Sequence, residues 1–185
     1  DITFDYLKLS NTRLNNFAAQ ISRGKEGVDV DFKSDLATGT INYFKTPDRV
    51  PSLHLSRLTL NENMLRDEGL ESMYDPRDFP DYDVFIDELW MSDNLLGEIG
   101  FKLRSEVSGA ALSDIRGDIF SFTIGTDKQL PPLEFFWHYD GKVHSSRLIG
   151  PIEFTDIGSV FRDFGLPKVA DSASGSIVLD FSWPE

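Results

Sequence analysis

The stretch D-V-F-I-D-E-L-W-M-S-D-N-L-L-G-E-I-G-F-K-L-R, Asp83 to Arg104, decides how the chain is read, because the chain contains its pattern twice. Residues Asp1 to Ser22, D-I-T-F-D-Y-L-K-L-S-N-T-R-L-N-N-F-A-A-Q-I-S, align with it without a gap at a constant offset of 82 (83 minus 1). That offset pairs Asp5 with Asp87, Leu7 with Leu89, Ser10 with Ser92 and Leu14 with Leu96. In each copy apolar residues stand at every second position, Ile2 and Phe4 or Val84 and Ile86, which is the period of a strand with one buried face. Each copy then changes phase, to Leu7 and Leu9 or to Leu89 and Met91. An extra residue in a β-bulge, at Asp5-Tyr6 and at Asp87-Glu88, accounts for such a flip. Polar turns follow, Ser10-Asn11-Thr12 and Ser92-Asp93-Asn94. The return strands carry Phe17, Ala19 and Ile21 in one copy and Ile99, Phe101 and Leu103 in the other. A bulged hairpin written twice predicts a repetitive all-β chain.

Outward from these hairpins the same period recurs. Val28, Val30 and Phe32 alternate with charged residues, and Ile41 and Tyr43 mark the next strand. Leu53 and Leu55 give way to Leu58 and Leu60 with a second phase jump near Arg57. Later strands run from Val107 to Ile115 and through Phe120, Phe122 and Ile124 on one face. The most aromatic face belongs to Leu133, Phe135, Trp137 and Tyr139; Asp140-Gly141 then turns the chain back through Val143, Leu148 and Ile149. A last strand carries Ile177, Leu179, Phe181 and Trp183. Residues 61–81 are charged and lack alternation, with room for a short helix around Met64 to Glu68. They read as a linker between a first β repeat, 1–60, and a second, 82–185. One helix is expected, over 156–164. Ile157, Val160, Phe161 and Phe164 have helical spacing, Thr155 can cap its start, Asp156 suits its dipole, and Gly165 with Pro167 stops it.

The chain has 185 residues, 40% of them hydrophobic, enough to bury a core and too many for a disordered segment. Its net charge of -13 argues against nucleic acid and against charge-driven docking on anionic membranes. The absence of cysteine removes disulfides, zinc thiolates and a cysteine nucleophile. No apolar run approaches the roughly 20 residues of a membrane span. With Asp first and Trp183-Pro184-Glu185 last, the chain reads as one fragment of a longer protein.

Catalytic chemistry finds little support. His54, His138 and His144 lie in strand patterns without a nucleophile elbow or metal-ligand spacing; His138 and His144 flank a turn and can face each other across a hairpin. Asp75, Asp78, Asp81 and Asp83 supply oxygen ligands for calcium, but not with the spacing of an EF-hand loop, and a solvated acidic linker is the simpler reading. Neither a catalytic residue, a cofactor nor a metal is expected. What stands out is apolar surface on single strand faces. About a dozen strands with one apolar face need cover, and one short helix cannot supply it. The sheet must pack on a second sheet as a sandwich, or leave a trough for an apolar ligand.

Several segments together resemble a known family. L-H-L-S-R-L-T-L (53–60), D-P-R-D-F-P-D-Y-D-V-F-I-D-E-L (75–89), L-L-G-E-I-G-F-K-L-R (95–104) and A-S-G-S-I-V-L-D-F-S-W-P (173–184) are similar to the C-terminal part of YhdP-type proteins, AsmA-like proteins of the Gram-negative envelope. That family has a linker ending in D-P-x-x-[FW]-P, a G-x-L-G hairpin turn and a closing S-W-P. Here the turn element is Leu95-Leu96-Gly97, with Asn94 in place of the usual first residue. The resemblance implies an inner-membrane anchor elsewhere in the parent chain and a long periplasmic β-sheet whose apolar trough passes phospholipids toward the outer membrane. Its partners would be acyl chains, neighbouring repeats and envelope proteins. The fold expected is therefore all-β: an elongated, twisted antiparallel sheet forming a curved apolar groove, with one short helix that plugs or rims it. The expected lining is Phe4, Phe17, Ile21, Val84, Ile86, Ile99, Phe101, Leu103, Phe120, Phe122, Ile124, Phe135 and Trp137. The alternative is a structural β-sandwich module that pairs with neighbouring repeats or a partner protein.

Overall fold

The computed structural model describes residues 1–9, 12–61, 75–125, 131–163, 167 and 174–184. The chain is all-β with one short α-helix, and it divides into two compact units, Asp1–Glu68 with Asp81–Leu96, and Gly69–Pro80 with Gly97–Glu185.

The first unit has six strands in sequence order: β1 (Ile2–Leu9), β2 (Thr12–Arg23), β3 (Gly27–Lys33), β4 (Ala37–Phe44), β5 (Ser52–Leu60) and β6 (Tyr82–Met91). β7 then opens at Asn94, so the end of one strand and the start of the next repeat at the same offset of 82 (91 minus 9, 94 minus 12). Pairing is antiparallel from β1 to β5. β6 runs parallel to β5, where an antiparallel neighbour was expected. Alternation sets which way side chains point and leaves strand direction open. A parallel neighbour requires a long crossover, which residues 61–81 are long enough to make. The helix expected near Met64 falls outside the described residues.

The phase jumps take two forms. Against β4, β5 carries a true bulge: Thr38 pairs with Arg57 and Gly39 with Leu55, leaving Ser56 over. At the other jumps both strands skip together. Phe4 pairs with Phe17 and Tyr6 with Asn15; Leu55 pairs with Ile86 and Leu58 with Leu89. No residue is gained at Asp5-Tyr6, nor at Asp87-Glu88 against β5. Opposite Asp5, Asn16 adopts a left-handed φ of 52°, which Asn tolerates better than most residues. Matched skips keep apolar side chains opposite one another across the kink.

The second unit comprises β7 (Asn94–Glu106) from Gly97, β8 (Gly109–Ile119), β9 (Phe122–Ile124), β10 (Leu133–Tyr139), β11 (His144–Phe154) and β12 (Gly175–Pro184), ordered β7-β8-β10-β11-β12. β9 pairs with the end of β8 and the end of β11, beyond the stretches that pair with β10. One position in the sheet is thus filled by two short strands in line. β11 passes their junction at Gly150, whose φ of 136° and close approach leave no room for a side chain: a Cβ would lie 2.7 Å from the Leu133 Cα. Gly97 is a strand residue rather than part of a turn. Its φ is 141°, and a Cβ there would sit 1.8 Å from the Asp118 carbonyl oxygen. The turn itself is Ser92-Asp93. β8 is bulged at Asp114, in a left-handed φ of 53°, as both its neighbours register.

The helix α1 spans Ile157–Asp163. Asp156, not Thr155, caps it: its carboxylate accepts from the Gly158 N–H at 2.9 Å and from the Ser159 hydroxyl at 2.8 Å. A cap must immediately precede the first helical residue to reach the second turn-forming N–H, and only Asp156 does. Phe164 and Gly165 lie outside the described residues.

Candidate functional site

Cross-strand register assembles the apolar side chains of the first unit into rows on one face. Ile2, Ala19, Phe32, Gly39, Leu55 and Ile86 form one row; Ile21, Val30, Ile41, Leu53 and Val84 form the next. Phe4 faces Phe17, with ring centroids 6.3 Å apart, and Phe17 stacks in turn on Phe32 at 6.5 Å. The expected Phe4, Phe17, Ile21, Val84 and Ile86 therefore share a face. Their exposure is graded. Leu55 and Ile86 are buried, whereas Phe4 is 48% and Ile21 50% exposed.

The opposite face of this unit is polar and internally bonded. Thr40 donates to Asp31 at 2.6 Å, Asn42 to Asp29 at 2.8 Å, and His54 meets the Asp87 carboxylate at 2.9 Å. A hollow of about 640 Å³ opens mainly on this polar side, bordered by Thr3, Gln20, Asp31, Lys33, Thr40 and His54. It is not the apolar face.

In the second unit Ile99, Phe101, Leu103, Phe122, Ile124, Phe135 and Trp137 also share one face, by alternation and by the pairs Ile99–Gly117, Leu103–Leu112, Phe122–Ile119 and Phe135–Leu148. Here the middle of the face is packed, while Ile177 and Phe181 of β12 on the same face stay exposed. Ile115, Ile124 and Leu133 are buried at the junction of β9 and β10, with Ile99, Phe101, Leu112, Phe135 and Leu148 around them. Phe120 is the exception: it lies in the β8–β9 turn, exposed, with a left-handed φ of 54° that the strand pattern did not foresee.

At one end of this face sits the segment read from sequence as an acidic linker. Asp75 caps a 3-10 turn, Pro76–Asp78, accepting from the Arg77 N–H at 3.0 Å and gripping the Arg77 guanidinium with both carboxylate oxygens. Pro76 is fully buried. Phe79 packs on Trp137 at 5.7 Å, Arg77 lies over the Tyr139 ring at 5.0 Å, and the Arg77 carbonyl accepts from Ser105. The hydrogen bond from Arg77 holds the Asp75 carboxyl down at about 2. Asp75 is thus occupied in a clamp, and Trp137 lies under Phe79. The signal was present in the sequence: Asp followed by Pro is a cap followed by a first-turn proline.

His138 and His144 do not face each other. Tyr139 pairs with His144 and His138 with Ser145, so the two rings stand on opposite faces. His144 stacks on Tyr139 at 4.3 Å and accepts from the Trp137 indole N–H at 3.1 Å. Among the described residues no group of three metal-ligating side chains forms.

The family model described as YhdP protein matches residues 1–185 of the chain. No curated protein and no solved structure matches it.

Proposed function

The chain belongs to the YhdP family, and we propose that it is a non-enzymatic lipid-binding segment that holds phospholipid acyl chains against its apolar faces. Membership in an envelope family supports a role in lipid transport. The finer reading is that the parent protein is anchored in the inner membrane, spans the periplasm and passes phospholipid toward the outer membrane. Among the described residues no helix is long and apolar enough to cross a membrane.

The observation that carries the reading is the open part of the first unit's apolar face, where Ile2, Phe4 and Ile21 are each 41–50% exposed. Contiguous exposed apolar rows on a charged protein mark a binding surface. An acyl chain laid along them gains about 0.8 kcal/mol per methylene removed from water. The second unit, with its buried Ile115, Ile124 and Leu133, favours the other reading, a packed structural module.

The test is native mass spectrometry with lipid extraction on the chain purified from bacteria without detergent. Near-stoichiometric phospholipid is expected, and Ile21→Asp should remove it without changing the thermal melt. A bare protein mass and a lipid-insensitive melt would leave only the structural-module reading.

A further inference from the structure

The apolar face of the first unit does not end in apolar residues. One step past the row of Ile21, Val30, Ile41, Leu53 and Val84, the register brings Arg23, Val28 and Tyr43 into line on the same side. Tyr82, two residues before Val84, shares that parity, and its hydroxyl lies 2.8 Å from the Tyr43 hydroxyl. The Lys45 N–H bonds the Glu26 carbonyl at 2.9 Å, extending the β3–β4 ladder by one step, so Lys45 keeps the parity of Tyr43. Two cations and two phenols therefore border one end of a surface otherwise built from apolar side chains.

The charges at this border are free to act on a ligand. Lys45 Nζ donates to the carbonyls of Gly24 and Lys25 at 3.0 and 3.1 Å, contacts that aim the ammonium without cancelling it. Arg23 forms no ion pair among the described residues. The carboxylate on the same rim, Glu26, meets Arg49 at 3.3 Å, and Arg49 itself lies over the Phe44 ring at 3.6 Å. Asp83 pairs with Ser52 on the opposite face, while Asp48 and Asp81 stand on the loops that lead into β5 and β6. In the hydroxyl pair one phenol donates to the other. Burial and the Tyr43 hydrogen bond push the Tyr82 phenol up to about 12, so it stays protonated.

We propose that Arg23, Lys45 and the Tyr43–Tyr82 hydroxyl pair form the headgroup seat for an anionic, phosphate-bearing lipid whose acyl chains lie on the adjoining apolar rows. The proposal rests on the lipid-binding reading above and adds to it a polarity and a selectivity. Phosphate oxygens accept several charge-assisted hydrogen bonds at once, which an arginine, an ammonium and a phenol supply together. In a chain of net charge -13, an anion approaching elsewhere is repelled, so a local pair of cations selects where the headgroup settles.

The experiment compares binding of dioctanoyl phosphatidic acid, dioctanoylglycerol and inorganic phosphate by calorimetry, using the wild-type chain, an Arg23→Ala/Lys45→Met double variant and Tyr43→Phe. These residues are exposed or at a strand end, and a thermal melt confirms folding; Tyr43→Phe keeps the ring and tests the hydroxyl alone. The double variant is expected to bind the phosphatidic lipid roughly tenfold or more weakly, with dioctanoylglycerol unchanged and the wild-type preference erased by salt. Equal phosphatidic-lipid binding by wild type and both variants, with dioctanoylglycerol still bound, overturns the headgroup seat and leaves the acyl-binding face standing. Binding of neither lipid to the wild type overturns both. Inorganic phosphate binding as tightly as the lipid overturns the lipid as its source.

Discussion

The two units present apolar faces of the same sequence pattern, and each face is packed in one part and open in another. In the first, exposure rises along the face from Leu55 and Ile86, at 6% and 5%, to Phe4 and Ile21 near one half. In the second, Ile115, Ile124 and Leu133 are at most 8% exposed with Phe101 and Phe135 packed around them, while Ile177 and Phe181 of β12, on the same face, are 46% and 59% exposed. The same alternation serves as a packed interior in one place and an accessible surface in the other. Periodicity says which side chains share a face; it does not say whether that face is covered.

The comparison can be broken most directly at the buried end. Leu133→Asp puts an unpaired charge at the junction of β9 and β10 and should cost more than about 4 kcal/mol, unfolding the second unit in a urea titration followed by circular dichroism. Next is Leu55→Ala, which opens a cavity where the first unit is packed and should cost about 2–5 kcal/mol in the same titration. Ile21→Asp, by contrast, should shift stability by less than about 1 kcal/mol while abolishing lipid co-purification. If Ile21→Asp proved as damaging as Leu55→Ala, the two ends of that face would not differ and the open surface would be lost.

The smallest effect concerns the clamp on Trp137. Asp75 has its carboxyl held down at about 2, below the usual carboxylate value of about 4. A depressed pKa means the clamp's contribution is complete above the ordinary value and is lost as pH falls through the folded one. Tryptophan fluorescence should therefore show a step between about pH 4 and pH 2 that Asp75→Asn lacks. An identical acid profile in the variant would show that Phe79 stays on Trp137 without the ion pair.

Much of the architecture was legible. The offset that aligns Asp1–Ser22 with Asp83–Arg104 matched the end of one strand and the start of the next in both copies, because a strand period of two is a local property of the chain. The same parity put Ile99, Phe101, Leu103, Phe122, Ile124, Phe135 and Trp137 on one side. Phe120 was misplaced because the turn consumed it, and a pattern of alternate aromatics does not register a reversal of direction. His138 and His144 were set face to face from their distance to a turn, whereas the pairing of Tyr139 with His144 shifts them by one residue and hence onto opposite faces.

Local chemistry by itself determined the all-β class, the helix within 156–164, the paired hairpins and, Phe120 apart, the membership of each face, since all of these depend on residues a few positions apart. Only the tertiary structure decided that β6 lies parallel to β5, that β9 and β10 share one sheet position, that Phe79 closes over Trp137, and that Phe4 and Ile21 stay open while Ile124 and Leu133 do not. Those outcomes depend on which distant segments meet, and the free energy of a contact between distant segments is not written in the periodicity of either one.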